Sequence, residues 1–421
     1  MKTYAKMVLG CKVNDYEATC ITNEMDRHFI EVSFNEKADI YLIFTCCVTN
    51  VAEAKTRKFF HKARRLNPDG YIVAIGCLSQ IKGDTEDFKD VDLIIGSSKK
   101  DKAVEMIIEG YKGSQVENRQ VFEYENLSVD DYPGKSRAFL KIQDGCNQFC
   151  TYCVIPYTRG RERSLDHKEV LNYAKKLENS YEEIVLTGIH TGRYFDGEYH
   201  LVDLLKMLLE KTKLKTIRLS SIEMTEVTDE IIELMKNSDG RIAHHLHIPV
   251  QAMSDDVLKD MHRPYTIEEF IKRIEYIRIK LPDVAISTDL IVGFPGETDE
   301  IFNDSLKNMD KIRFSFIHVF PYSKKEGTVA EKMKNHVHPD TKKARVKTIE
   351  NTEKKYTLEY NRSFIGKDVE VLIEKTDEEY SYGYSKQYFY VKSKTKLNVG
   401  SLYKIRIDEV NESEIIGTYV S

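Results

Sequence analysis

Three closely spaced cysteines constrain this chain more than any other feature. Cys146-Asn147-Gln148-Phe149-Cys150-Thr151-Tyr152-Cys153 is a Cys-x3-Cys-x2-Cys run that follows directly on an apolar stretch at 138–142. Three thiolates crowded this way can grip three irons of a 4Fe-4S cluster and leave the fourth iron without a protein ligand. An open iron is what a reaction requires when a small molecule must bind the cluster directly. A zinc knuckle would need a fourth ligand, and no neighbouring Cys or His stands at the usual spacing.

The other five cysteines are Cys11, Cys20, Cys46, Cys47 and Cys77. No apolar run approaches the roughly 18–20 residues of a membrane helix, and residues 1–10 lack the apolar core of a signal peptide. The expected compartment is therefore the cytosol, where thiols stay reduced and a disulfide framework has little use. Short apolar runs at 6–9, 40–44, 71–75 and 91–95 alternate with amphipathic stretches. One of these is 51–66, where Ala52, Thr56, Phe59, Ala63 and Leu66 keep a helical spacing. This alternation predicts a parallel sheet covered on both faces. Cys11, Cys46 and Cys77 each follow one of the first three strands, and parallel strands carry ligands at their carboxyl ends. The three should converge on one edge and hold a second 4Fe-4S cluster, again with one open iron. Cys20 falls on a helix, and Cys47 faces away from Cys46 if that turn is extended, so both read as bystanders.

Residues 126–136, with Pro133-Gly134, read as a linker. Strand-like runs then recur at 138–142, 183–186, 216–219, 245–248, 284–291 and 314–319, with helical patterns such as 201–209 and 268–279 between them. Six β/α units predict a partial version of the parallel barrel. A Lys/Arg-rich stretch, helical in its middle, runs from 324 to 367, and residues 365–421 show short alternating strands and many tyrosines. A small β-barrel of the oligonucleotide-binding style fits that end. The fold class is α/β, with expected domains at 1–125, 137–360 and 363–421.

The cysteine run with Tyr152 before its last member, beside a partial β/α barrel, resembles the radical S-adenosylmethionine superfamily. Two open clusters, one of them in a separate N-terminal sheet, resemble its methylthiotransferase family. Further blocks agree: the segment from Ile155 to Ser164, Leu186-Thr187-Gly188-Ile189-His190-Thr191-Gly192, Thr288-Asp289-Leu290-Ile291-Val292-Gly293-Phe294-Pro295-Gly296-Glu297-Thr298, and His318-Val319-Phe320-Pro321-Tyr322-Ser323. The resemblance implies two 4Fe-4S clusters and two S-adenosylmethionine molecules per turnover, one for the radical and one for the methyl group. It also implies a C-terminal module like the RNA-binding TRAM domain, and a reduced electron donor of flavodoxin or ferredoxin type. Tyr152, Thr187, Gly188, Glu223, Gln251 and Val292 would contact S-adenosylmethionine. Ala252-Met253 depart from the small residues usual in the family at that place.

Branches of this family act on isopentenyladenosine in tRNA, threonylcarbamoyladenosine in tRNA, or an aspartate of a ribosomal protein. Cys11-Lys12-Val13-Asn14-Asp15-Tyr16-Glu17 looks like the bacterial threonylcarbamoyladenosine branch, and the alternatives are the other two substrates. Lys12 suits a threonylcarbamoyl carboxylate, which an isopentenyl group lacks. With 63 Lys+Arg against 68 Asp+Glu the chain is no general polyanion binder, so RNA contacts must come from patches. Candidates are Lys55, Lys58, Lys62 and Arg65; Arg159, Arg161 and Arg163; and Lys342, Lys343, Arg345, Lys347, Lys354 and Lys355. Tyr380, Tyr382, Tyr384, Tyr388 and Tyr390 either stack on bases or pack a half-buried sheet.

Overall fold

The computed structural model describes residues 1–117, 122–129 and 131–420. The chain forms two compact units. The first comprises Met1–Tyr132, Lys141–Asp166 and Ser323–Glu331; the second comprises Pro133–Leu140, His167–Tyr322 and Lys332–Ser421.

In the first unit β1 (Thr3–Val8), β2 (Ile30–Glu31), β3 (Ile40–Thr45), β4 (Tyr71–Gly76), β5 (Leu93–Ile95) and β6 (Gly113–Ser114) form a sheet. Its order is β2-β1-β3-β4-β5-β6 and its pairings are parallel. All residues of β3 are buried, as a strand covered on both faces requires. On one face Tyr4, Leu42, Phe44, Val73 and Ile75 pack against Ala18, Ile21 and Met25 of α1 (Lys12–Met25). On the other, Tyr41, Ile43, Ile72 and Ala74 pack against Phe60 and Ala63 of α2 (Asn50–Leu66). The Thr49 hydroxyl caps α2 by accepting from the Ala52 N–H at 3.1 Å. Helices α3 (Cys77–Lys82) and α4 (Ala103–Glu109) complete the layers.

The stretch expected as a linker packs instead. Leu127, Val129 and Tyr132 are buried, and the Tyr16 hydroxyl donates to the Leu127 carbonyl at 2.6 Å. Polar residues interleave with these apolar ones, which hid a row that fits against α1; Asp130 lies outside the described residues. The strand β7 (Ala138–Lys141) leads into the segment that carries the cysteine run. There β8 (Gln143–Asp144) pairs antiparallel with β9 (Arg163–Ser164) and closes the loop between them.

The second unit holds β10 (Glu183–Thr187), β11 (Thr216–Leu219), β12 (His245–His247), β13 (Ala285–Val292) and β14 (Phe316–Pro321). The strands β11-β10-β7 and β12-β13-β14 form two sheets. Parallel bridges Ile217–Ile242 and Ser221–His247 join them into one open, curved array. Helices His167–Leu177, Leu201–Lys211, Asp229–Asn237, Ile267–Lys280 and Asp299–Ile312 run between the strands, giving the partial barrel. After the helix Pro339–Arg362 come β15 (Asp368–Thr376), β16 (Ser381–Ser385), β17 (Tyr390–Ser393), β18 (Leu402–Val410) and β19 (Ile415–Tyr419). They close as β15-β16-β17-β19-β18 around Val371, Ile373, Val391, Ile405 and Ile407.

A buried ion pair joins this small barrel to the strands. The Glu183 carboxylate accepts from Arg218 at 2.9 and 3.3 Å and lies 3.2 Å from Arg137. Arg218 also donates to the carbonyls of Lys386 (3.1 Å) and Ser385 (3.2 Å). Each nitrogen of the Arg218 guanidinium thus finds an acceptor, which helps a buried charge to be tolerated.

Candidate active site

Two glycines shape the sheet edge where the N-terminal cysteines meet. Gly10 precedes Cys11 with φ +108°, and Gly76 precedes Cys77 with φ +118°. A Cβ on Gly10 would sit 3.1 Å from the Cys46 sulfur, and one on Gly76 would sit 2.9 Å from the Thr45 carbonyl. The ends of β1, β3 and β4 therefore approach so closely that only glycine fits. Cys11 caps α1, Cys46 follows β3 and Cys77 opens α3. The structure brings the three to one edge, as the spacing of the strands predicts. Cys47 instead points into the core with Ile43, Phe60 and Cys77, and Cys20 is a buried residue of α1 itself.

The thiols perturb one another. Burial pushes Cys46 up to about 12, and the neighbouring Cys77 and Cys11 push in the same direction. Cys77 is held down at about 6, first by its thiol hydrogen bond with Cys47 and then, against burial, by the Arg159 and Lys100 charges. Crowded thiols that disfavour each other's ionisation are relieved by a cationic centre between them, so this all-sulfur donor set fits an iron–sulfur cluster.

Behind Cys77 lies a buried charge network that the sequence reading missed. Arg159 is 0% exposed, as is Glu17. The Arg159 Nε–H donates to the Cys77 sulfur at 3.3 Å. Its Nη1 and Nη2 donate to Glu17 at 2.9 and 3.1 Å, and Nη1 also reaches Asp144 at 3.1 Å. Lys100 and Lys141 each lie 2.9 Å from Glu17, and Arg163 lies 3.0 Å from Asp144. Burial opposes ionisation of Glu17, but the Arg159, Lys100 and Lys141 charges outweigh it and hold the carboxyl well below its usual range. Asp144 is likewise held low, with Arg163, Lys141 and Arg159 overcoming burial. A signal existed: Glu17 stands four residues after Val13 and four before Ile21, on the helix face that buries apolar side chains.

The Cys146–Cys153 loop belongs to this same unit. The Gln148 N–H points to the Cys146 sulfur and the Ile155 N–H to the Cys153 sulfur, both at 3.4 Å. These N–H···S contacts hold the two sulfurs in place on the loop. Between them Phe149 takes φ +50°, a left-handed conformation that costs about 1–3 kcal/mol in a non-glycine residue and persists only where the surroundings impose it. Tyr152 sits half-buried in the turn before Cys153.

The remaining residues expected to bind S-adenosylmethionine lie in the second unit, at or just beyond strand carboxyl ends. Thr187 ends β10 with Gly188 next, and Val292 ends β13. Glu223 follows β11 and pairs with the buried Arg263. Gln251, at φ +67°, bridges to Leu290 of β13. Met253 is buried, and its carbonyl accepts from Asn308 at 2.9 Å. A polar row not foreseen runs along β12 and β13: Ser287 Oγ contacts His245 Nε2 (2.8 Å) and His247 Nδ1 (2.9 Å), and His247 lies 3.3 Å from Asp289. Three histidines in four residues at 244–247 were its trace in the sequence.

The arginines and lysines expected to face RNA divide sharply. Arg159 is sealed inside the protein and cannot meet a phosphate. Arg163 is held by Asp144 and by the carbonyls of Arg159 and Arg161. Arg161 stays half-exposed with its guanidinium over the Phe149 ring. Arg345 is buried against Glu297 at 2.7 Å, and Lys342 donates to the Tyr322 carbonyl at 3.0 Å. Lys55, Lys58, Arg65, Lys343, Lys347, Lys354 and Lys355 are exposed, and Lys62 is half-buried against Phe34 and Asn35. Lys12, the first residue of α1, is exposed beside Cys11. Tyr384 stacks on Tyr388 at 4.9 Å, and Tyr388 stacks on His245 at 4.7 Å. With Phe316, His318 and Tyr390 these rings line a cavity of about 580 Å³.

Comparison with known proteins gives two family matches: the Radical SAM superfamily over residues 140–309 and the Uncharacterized protein family UPF0004 over residues 3–96. The chain is 39% identical to the threonylcarbamoyladenosine tRNA methylthiotransferase MtaB of Bacillus subtilis, across 97% of this chain and 94% of that protein. It is 32% identical to the tRNA-2-methylthio-N(6)-dimethylallyladenosine synthase of Thermodesulfovibrio yellowstonii, across 98% and 97%. Among solved structures, the radical S-adenosylmethionine methyltransferase TsrM of Kitasatospora setae shares the fold. Its TM-score is 0.57 at 13% identity, covering 79% of this chain and 77% of that one.

Proposed function

Because the chain belongs to the radical S-adenosylmethionine methylthiotransferase family, we propose that it converts N6-threonylcarbamoyladenosine next to the anticodon of tRNA to its 2-methylthio derivative. The enzyme uses 4Fe-4S clusters and S-adenosylmethionine, as its family does. What supports the substrate is similarity over nearly the whole length to a threonylcarbamoyladenosine enzyme, together with Lys12 exposed beside a cluster cysteine.

Cys146, Cys150 and Cys153 would hold the radical-site cluster, and Cys11, Cys46 and Cys77 would hold the auxiliary one. When bound, the radical-site cluster with S-adenosylmethionine would supply radical chemistry strong enough to break an unactivated C–H bond, and the auxiliary cluster would supply or carry the sulfur. Tyr152, Thr187, Gly188, Glu223, Gln251 and Val292 contact S-adenosylmethionine. Lys12 pairs with the threonylcarbamoyl carboxylate. Exposed Lys343, with Lys347, Lys354 and Lys355, neutralises phosphates, while Arg161 and the Tyr384–Tyr390 rings add base contacts. The domains are 1–125, 137–360 and a TRAM-like 363–421. Among the described residues no helix is long and apolar enough to cross a membrane; we place the enzyme in the cytoplasm, reduced by a flavodoxin- or ferredoxin-type donor.

The test is a Lys12→Met variant. Losing a partly desolvated charge pair costs on the order of 1–3 kcal/mol, or roughly 5- to 150-fold in kcat/KM. Turnover on threonylcarbamoyladenosine-containing tRNA should fall by that factor, while iron content and uncoupled S-adenosylmethionine cleavage hold. Indifference to the change rejects the role of Lys12.

A further inference from the structure

The network behind Cys77 contains more positive charge than it needs for itself. Arg159, Lys100, Lys141 and Arg163 face three carboxylates, Glu17, Asp144 and the more distant Glu125, which is 4.0 Å from Lys100. Among the described residues one cation is in surplus, and the geometry says which way it is directed. Two nitrogens of the Arg159 guanidinium are fixed on Glu17 and Asp144, and the third, Nε, points its hydrogen at the Cys77 sulfur from 3.3 Å. A planar, always-charged group held from behind by two carboxylates has a fixed aim. A lysine in its place would hold the charge without the directed N–H.

We propose that Arg159 is a positioning residue that sets the reduction potential of the auxiliary cluster, by donating an N–H···S bond to its ligand Cys77 and by facing it with an uncompensated positive charge. The proposal rests on Cys77 being a cluster ligand. Hydrogen bonds to cluster sulfurs and nearby positive charge both favour the reduced, more negative state and raise the potential. Arg159 also lies six residues after Cys153. The segment that carries the radical-site cysteines is thereby fastened to an auxiliary-site ligand inside one folded unit.

The experiment isolates the auxiliary cluster in the full-length Cys146/Cys150/Cys153→Ala protein and reads its midpoint by potentiometric titration followed by electron paramagnetic resonance. Adding Arg159→Gln leaves Lys100, Lys141 and Arg163 to balance the carboxylates, so iron should load as in the parent. The midpoint should fall by at least a tenfold change in the reduced-to-oxidised ratio at fixed potential, about 59 mV for one electron. Arg159→Lys, which keeps the charge and loses the Nε–H, should fall by less. If Arg159→Gln does not load, the midpoint of Arg159→Lys decides. An unchanged or raised midpoint overturns the proposal, as does failure of both variants to load iron that the parent holds, since Arg159 would then serve assembly alone. A parent that binds no iron refutes the cysteine assignment itself.

Discussion

Replacing Glu17 by glutamine removes one negative charge from a site where three cations meet it. Arg159, Lys100 and Lys141 each stand 2.9 Å from this carboxylate, and the side chain is about 1% exposed. Glutamine keeps the volume but leaves Asp144 and Glu125 to face four cations, and turns an N–H2 donor toward them. Breaking a buried ion pair by removing one partner costs about 3–5 kcal/mol, because the charge left behind stays desolvated. For a folded unit of about 150–250 residues each kcal/mol moves Tm by about 2–4 °C, so the unit should melt about 6–20 °C lower. Differential scanning calorimetry of anaerobic protein, with the unit's transition tracked in both forms, measures it. The exposed pair Arg27–Glu24 is the control: Glu24→Gln should shift Tm by no more than about 4 °C. A Glu17→Gln protein melting within about 2 °C of the parent would refute the reasoning that this network is a stability determinant.

The same network predicts acid lability. Glu17 and Asp144 have folded pKa values below the ordinary carboxylate range, so their contribution is complete above about pH 5 and is lost as pH falls through the folded values; Tm measured from pH 7 downward should drop, less steeply in Glu17→Gln. Reconstituted protein should hold about eight irons and the Cys146/Cys150/Cys153→Ala variant about four, with Cys20→Ala and Cys47→Ala unchanged by iron assay. Lys343→Ala should weaken all tRNAs alike and flatten the dependence of log K on log salt by about 1 unit, whereas Lys342→Ala, whose ammonium is held at the Tyr322 carbonyl, should flatten it less.

Where a segment's burial is continuous, its fold was legible from the sequence. The runs at 183–186 and 216–219 match β10 and β11 within a residue, since short, mostly β-branched and aliphatic runs mark buried strands even where one charged residue, Glu183 or Arg218, stands among them. The convergence of Cys11, Cys46 and Cys77 was legible for the same reason: in a parallel sheet a residue just past a strand has its place fixed by topology. Arg159 was misread because Arg159, Arg161 and Arg163 recur every second residue, as a solvent-facing row would. Nothing local reveals that Glu17 and Asp144, far apart in sequence, wait for the first of them. Arg345 failed alike: it sits in a lysine-rich helix, and its partner Glu297 is 48 residues away. The packed stretch around Leu127 was hidden because Pro133-Gly134 is a strong turn signal beside apolar residues whose alternation is short.

The central claim is the insertion of a methylthio group into threonylcarbamoyladenosine, and nucleoside mass spectrometry tests it most directly. Anaerobically reconstituted, reduced enzyme with S-adenosylmethionine would be given two matched tRNAs, one carrying N6-threonylcarbamoyladenosine beside the anticodon and one carrying N6-isopentenyladenosine. The account predicts the 2-methylthio derivative on the first tRNA, little on the second, and none on either when Cys11, Cys46 and Cys77 are replaced by alanine although S-adenosylmethionine is still cleaved. Preference for the isopentenyl substrate, or normal product from the triple variant, would contradict it.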